Sequence, residues 1–395
     1  MVERRRRPRL ALAALLVGGA VAACYDDGAD DDADDAGSTR SMASQTASTA
    51  DQTTTPAGAS LREFPEQPAG VMWPTDEWAE AALPDGVDKA AVDAATDTAF
   101  NDGADERVRA VVIVHGGAKV YERYSPHPDD ASNEIMPSYS MAKAVTSAMI
   151  GILVRDGRLD IDEPAAVPEW HDDPGDPRAA ITVRHMLHMA TGVPWDDGFM
   201  NRGSEMYEMV RSEDTAGYAA ALHPTAGPGE RFDYSSGTTT LLARIIGDEV
   251  GGDPADVRAF LHDELFDKIG MEPVNITFDA AGTWQGSYSA DTTAQNFAKL
   301  GLLFLRGGEW DGEQILPQEW VELARTPSPA EPEYGAHWWL DRLRPGVFYA
   351  VGIRGNVITV DPAHDLVIVQ LSTVGGPLPL AHTEAILDAF ATLDE

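Results

Sequence analysis

Near its end the chain carries three runs rich in β-branched and aromatic residues, "GVFYAVGI", "GNVITVDP" and "DLVIVQLS", separated by short turns. Runs of this kind, bounded by turn residues, form strands. Two more stand far upstream, on either side of Gly116-Gly117 in "RVRAVVIVHGGAKVYERYS". Two glycines between strand patterns predict a tight hairpin. Strands at both ends of one chain can join a single antiparallel sheet if the segment between them leaves the sheet and returns. That segment is rich in helix patterns and poor in strand patterns. The expectation is an α/β chain of the α+β kind. It has an antiparallel sheet flanked by helices and an inserted all-helical region at about 165–283. A site would lie in the cleft between the two parts.

The helix signals are specific. From Ser140 to about Arg155, Met141, Ala144, Val145, Ala148, Met149 and Leu153 keep helical spacing. The pattern stops at "RDGRLD", where Gly157 can cap. Further on, "ITVRHMLHMATG" predicts one helix closed by Gly192. "GTTTLLARIIGDEVGG" and "PADVRAFLHDELFDKIGM" predict two more, and "AHTEAILDAFATL" closes the chain.

The front end reads as an address. Arg4 to Arg7 and Arg9 precede an apolar stretch from Leu10 to Ala23. That stretch is shorter than the roughly 20 residues of a membrane-spanning helix and fits a secretion signal. It ends in Val21-Ala22-Ala23-Cys24, which resembles the bacterial lipoprotein box. The resemblance implies cleavage before Cys24, lipid on its sulfur, and a protein exported and anchored to the membrane of the cell envelope. The other reading is an ordinary signal peptide with a chance Cys. Cys24 is the one cysteine of the chain, so no intrachain disulfide can form. Residues 25–60 are Asp, Ser, Thr, Ala and Gly with few large apolar side chains. Such a segment cannot offset its ordering entropy and reads as a disordered tether. Residues 61–395 make one folded domain.

The formal net charge is −36. A polyanion would repel this chain, so nucleic acid is excluded as a partner. Part of the charge is the Asp run after Cys24. The rest is an acidic surface with lysine nearly absent.

Lysine stands only at positions 89, 119, 143, 268 and 299. One of these sits in "SYSMAK", three residues after Ser140, at the start of an apolar helix. Three residues are close to one helical turn, so the two side chains share a face. Two readings stand side by side. Ser140 is a helix cap and Lys143 a solvated neighbour. Or Ser140 is a nucleophile and Lys143 its base, made basic by burial. In the second reading the helix dipole would favour an oxyanion near the Ser140 N–H.

Context bears on the choice. "YSMAKAVTSAMIGILVRDGRLDIDEPAAVPEW", "ITVRHMLHMATGV", "FDYSSGTTTLLARII", "NFAKLGLLFLRGGEWDGEQILP" and "YAVGIRGNVITVDPAHDLVIVQLS" follow one another in order. Over about residues 70–395 the chain resembles the serine β-lactamase-like and penicillin-recognising hydrolases. The resemblance implies that fold, with Ser140 as nucleophile and Lys143 as its general base. Tyr234 would share the proton relay and protonate the leaving group, provided Lys143 lowers its pKa. The backbone N–H groups of Ser140 and Ile353 would form the oxyanion hole. No metal or organic cofactor is implied; the partner is a small-molecule ester or amide.

The chain departs from the family at two motifs. Ala350-Val351-Gly352 stands where Lys-Thr-Gly grips the carboxylate of β-lactams, and Arg354 lies nearby but not at that place. Ser236 replaces the Asn of the second motif. Both departures point toward the esterases and 6-aminohexanoate-oligomer hydrolases. "PEW…DPRAAITVRHML" and "YGAHWWL…FYAVGIRG" resemble that branch especially. A tyrosine that assists amide cleavage there aligns with Phe199, which has no hydroxyl, so ester cleavage is the expected activity. Ser236, Gly352, Phe199 and Trp339 are the expected substrate-binding residues. Trp195, Trp338 and Trp339 line an apolar cleft or pack the core. D-alanyl-D-alanine carboxypeptidase or β-lactamase activity, and a non-catalytic surface-anchored binding protein of the same fold, are the alternatives.

Other chemistries find less support. No Gly-x-Ser-x-Gly elbow occurs. His185 and His188 stand three apart without a His-Glu-x-x-His pattern and read as helix-surface or packing residues. Asp173 and Asp176 in "HDDPGD" read as turn acids rather than calcium ligands.

Overall fold

The computed structural model describes residues 63–100, 108–125, 132–373 and 378–394. Cys24, the signal stretch and the tether lie outside the described residues.

Strands β1 (Val108–His115) and β2 (Ala118–Tyr124) form the expected hairpin. Gly116 and Gly117 have φ of 58° and 72°. Positive φ at both central positions is what a type I′ turn demands. The later strands are β3 (Trp339–Leu340), β4 (Phe348–Gly352), β5 (Asn356–Asp361) and β6 (Leu366–Ser372). They complete a six-stranded sheet in the order β2-β1-β6-β5-β4-β3, with every neighbouring pair antiparallel. The two ends of the chain meet where β1 pairs with β6, from Val108 opposite Ser372 to His115 opposite Leu366. The fold class is the one expected.

Helices α1 (Lys89–Phe100), α2 (Ala142–Arg155), α3 (Ser236–Val250), α4 (Pro254–Leu261), α5 (Ala294–Leu305) and α6 (Leu378–Phe390) cover both faces of the sheet and build the region inserted between its strands. Val111, Ile113 and Ile368 pack with Val92, Ala95, Ile386 and Leu387 of α1 and α6. Ala110, Val112, Val367 and Val369 face the other way, into a larger cluster with α2 and α5. Burial on both faces explains why β1 reads as a continuous apolar run rather than an alternation. The larger cluster extends through Leu242, Ile246 and Leu265, so the helical region shares its core with the sheet.

Helix α2 is central: every residue from Ala142 to Leu153 is buried. A helix that is apolar all round belongs inside. It ends as expected. Gly157, at φ 66°, donates to Val154 and Arg158 donates to Leu153, closing a Schellman motif.

Two expectations are corrected. "ITVRHMLHMATG" is helical only over Val183–Leu187. Thr182 and His185 form a capping box at its start, and Met189 turns left-handed at φ 53°, ending it before Gly192. "PADVRAFLHDELFDKIGM" leaves α4 at Leu261 and continues as a π turn over His262–Phe266. Helix α5 overlaps the block "NFAKLGLLFLRGGEWDGEQILP", which carries part of the resemblance and is not among the helices expected from the sequence. Its residues from Asn296 to Leu305 are all buried, Lys299 among them.

Candidate active site

Ser140 sits in a 3-10 turn, Tyr139–Met141, immediately before α2. Neither this turn nor α2 has a side-chain cap, so Ser140 does not act as one. Tyr139 has φ 45°, a strained value for a residue other than glycine.

The turn is fastened from two sides. Asp291 Oδ1 accepts from the Ser138 N–H (2.9 Å) and the Ser138 hydroxyl (3.0 Å). Burial pushes the Asp291 carboxyl up, and the Ser138 bonds oppose that shift. From the sheet, buried Asn356 donates to Pro137 O at 3.3 Å. Gly352, the last residue of β4, comes so close that a Cβ there would lie 2.6 Å from Ser138 O and 3.1 Å from Tyr139 Cβ. The glycine is needed for this approach. It brings the following Ile353, half-exposed, to the sheet edge beside the Ser140 turn. Arg354, one residue on, is exposed at φ 62°.

Lys143 is one turn along, 1% exposed. Its Nζ hydrogen-bonds with Ser140 Oγ (3.1 Å), Ser236 Oγ (2.9 Å) and Ser287 O (3.1 Å). Three acceptors satisfy the three N–H groups of an ammonium. Burial lowers the Lys143 pKa to about 8, against the opposing charge of Asp197. A neutral amine has two N–H groups. Given to Ser236 and to the Ser287 carbonyl, which can only accept, they leave the lone pair for the Ser140 hydroxyl. The arrangement can therefore take the Ser140 proton.

Ser236 is the first residue of α3, whose cap is Ser235. Tyr234, two residues earlier, lies close enough to Ser140 for the serine to act on its phenol. Lys143 Nζ lies over the Tyr234 ring, 4.9 Å from its centroid. Burial and the Asp197 charge push the phenol up. This is opposite to the expectation that Lys143 would lower it. Tyr234 is held as a proton donor, not a tyrosinate. Trp339 stacks on Tyr234 (5.6 Å, 25°), and Tyr334 meets both edge-on.

The structure thus brings Ser140, Lys143 and Ser236 into one hydrogen-bonded cluster with the Tyr234 ring against Lys143, Trp339 as a wall and Gly352-Ile353 at the sheet edge. Phe199 lies half-buried on the loop after Trp195, against the core. Trp338 does not line a cleft: it is fully buried between Phe304 and Phe348. His185 caps its own helix through Nδ1. Burial holds His188 down to about 4, with help from the charge of Arg184. Asp173 and Asp176 accept from the Gly175 and Arg178 N–H groups, as turn acids do. A separate groove of about 730 Å³, lined by Phe64, Trp73, Arg306 and Arg325 among others, shares no lining residue with this cluster.

A model of the beta-lactamase family matches residues 97–393. The chain belongs to the beta-lactamase family. It is 26% identical over 297 residues to the 6-aminohexanoate-dimer hydrolase of Paenarthrobacter ureafaciens, covering 68% of this chain and 73% of that protein. Its fold matches a candidate 6-aminohexanoate-dimer hydrolase from Bacillus anthracis with a TM-score of 0.65 at 23% identity, over 85% of this chain and 88% of that one. It matches EstA from Arthrobacter nitroguajacolicus Rue61a at 0.60 and 16% identity, over 80% and 99%. The family and these relatives are hydrolases of the serine β-lactamase-like fold.

Several members of this beta-lactamase-family site escape sequence reasoning. Asp197 Oδ1 accepts from Trp195 Nε1 (2.7 Å) and from the Ser236 N–H (3.2 Å). Ser287, Asp291 and Asn356 hold the nucleophile turn and Lys143. His337 bridges Leu187 O and Thr239 and is driven down to about 3, chiefly by burial. Nothing in the spacing of these residues marks them.

Proposed function

We propose that the protein is a serine hydrolase that cleaves carboxylic esters through an acyl-enzyme on Ser140. The observation that carries this reading is the contact of Lys143 with Ser140 at 3.1 Å inside a buried, lysine-lowering environment. Neutral Lys143 takes the Ser140 proton as Oγ attacks the carbonyl carbon. The oxyanion sits on the N–H groups of Ser140 and Ile353. Collapse expels the alcohol, protonated through Tyr234. Water, activated by the same groups, then attacks the acyl carbon, and collapse returns Ser140 and releases the acid.

Esters are favoured over amides because Phe199 has no hydroxyl to protonate an amine. They are favoured over β-lactams because Ala350 and Val351 offer no cation to a carboxylate. The relatives named for 6-aminohexanoate dimers support a linear acyl chain. We further propose export and lipid attachment at Cys24, supported by the arginine cluster and apolar stretch before it. Replacing Cys24 by Ser should leave the protein without acyl mass; retained acyl mass would remove that proposal.

The test assays the full-length protein on p-nitrophenyl butyrate, the linear 6-aminohexanoate dimer and nitrocefin, with Ser140→Ala as control. We expect ester turnover, falling at least about 10³-fold in the variant. Ester turnover retained by Ser140→Ala contradicts the mechanism. Dimer turnover alone, or nitrocefin turnover, would replace the ester assignment by amide or β-lactam hydrolysis.

A further inference from the structure

We infer that His262, Asp267 and Glu272 form a binding site for a zinc-class divalent ion. The site shares no residue with the Ser140 cluster and does not depend on the hydrolase reading.

The three residues come together where α4 ends. That helix stops at Leu261, and the chain continues as a π turn over His262–Phe266. In an α-helix, residues five apart are offset by about 140° around the axis. In a π turn the i→i+5 bond brings them closer together. Here the Asp267 N–H donates to His262 O at 3.0 Å, and the two side chains meet. The chain then turns at Gly270 (φ 64°), and Glu272 returns beside them. His262 Nδ1 lies 2.8 Å from Glu272 Oε1 and 3.3 Å from Asp267 Oδ1. One donor atom of each residue falls within 4.8 Å of the other two. The imidazole packs edge-on against Phe266 (5.5 Å, 87°), which is fully buried.

An internal ion pair does not account for this arrangement. A ring nitrogen carries at most one hydrogen and can give it to one carboxylate. The other carboxylate is left facing a like charge. Burial pushes the Glu272 carboxyl up and the Asp267 charge adds to that, against His262. Lys268, next in sequence to Asp267, is committed elsewhere: it pairs with Glu264 and Glu313. Two carboxylates and one imidazole nitrogen thus converge, from positions five and ten residues apart along the chain.

The donor set names the class of ion. Calcium and magnesium take oxygen ligands, whereas an imidazole with two carboxylates suits zinc and its first-row neighbours. Zinc holds nitrogen and oxygen at about 2.1 Å, which sets two ligands of a tetrahedral site about 3.4 Å apart. The separations of 2.8 and 3.3 Å are near that value, so small side-chain rotations admit the ion. Asp267 and Glu272 are exposed and His262 is half-buried, so the ion has an entry path and water can take the fourth position. The ion would tie the π turn to the segment entering Val274–Asn275, which pairs with Asp291–Thr292. Asp291 is the residue that fastens Ser138.

A net charge of −36 also gathers divalent ions loosely over the whole surface, so the test separates site from field. The full-length protein, stripped with a chelator, is titrated calorimetrically with zinc chloride and with magnesium chloride. His262→Ala and Glu272→Gln are titrated alongside. Glu272→Gln keeps the shape of the side chain and one oxygen. We expect one zinc to bind the native protein well above the loose background. Its affinity should fall at least about 10²-fold in His262→Ala and about 10-fold or more in Glu272→Gln. Magnesium should show the loose background alone in all three. Zinc should also raise the thermal midpoint of the native protein and not that of His262→Ala. Native zinc binding no tighter than magnesium binding overturns the proposal, because the acidic surface then suffices. Tight zinc retained by both variants overturns it too, because the ion then sits on other residues. A second measurement needs no variant. Anomalous scattering from native crystals grown with zinc chloride should place an ion between the three side chains; a zinc peak found only elsewhere overturns the proposal.

Discussion

Lys143 is a charge buried at the start of an apolar helix. Its pKa falls from 10.5 to about 8 because burial penalises the ammonium. Between those values the unfolded chain binds a proton that the folded chain does not. Stability therefore rises with pH across that window and is lower by the full amount below about 8. Lys143→Met should stabilise the fold at pH 7 by about 1–3 kcal/mol, read by urea denaturation, while abolishing turnover. Loss of stability in that variant would contradict this account of the burial. In the native enzyme kcat/KM should climb with pH through about 8. Spacing and the scarcity of lysine draw attention to Ser140 and Lys143, but they leave a helix cap with a solvated lysine as an equal reading, and it is the resemblance that assigns the two residues their roles. Asp197 is not legible: "WDDGF" offers two adjacent acids, and only the fold decides which one meets Ser236. Tyr234 is legible by resemblance, but its pKa direction is not, because burial and Asp197 act on it from outside its own segment.

At the scale of elements, the site depends on one short turn held between sheet and helix. The Tyr139–Met141 turn is strained at Tyr139 and is kept by Asp291, Asn356 and the bare backbone of Gly352. Gly352→Ala should push this turn away from β4, since its Cβ would meet a backbone oxygen rather than a flexible side chain. A displacement near 1 Å at a nucleophile costs about 10²-fold in rate. We expect kcat for ester hydrolysis to fall by about that factor with a small change in thermal midpoint; an unchanged kcat would show that the close approach does not position Ser140. The strands are readable because β-branched runs bounded by turns have few other uses. The short helix at Val183–Leu187 reads too long in sequence because its end is set by a left-handed Met189, which carries no sequence signature.

The whole molecule is a dense anion built on a conventional core. Like charges spread over one surface repel, and the repulsion is screened by salt. Raising sodium chloride from low to molar concentration at pH 7 should raise the melting temperature, followed by circular dichroism. A flat or falling response would mean that the surface ion pairs, rather than repulsion, dominate. The same charge is legible in composition, but it says nothing of the site, which is local. The central claim is that Ser140 becomes acylated with Lys143 as its base. The most direct measurement mixes the full-length protein with p-nitrophenyl butyrate, quenches in acid within the first turnover, and maps the acyl mass by peptide mass spectrometry. The account predicts a butyryl group on Ser140, absent in Ser140→Ala and strongly reduced in Lys143→Met. An acyl group on any other residue, or full turnover with Ser140 unmodified in every quench, would contradict it.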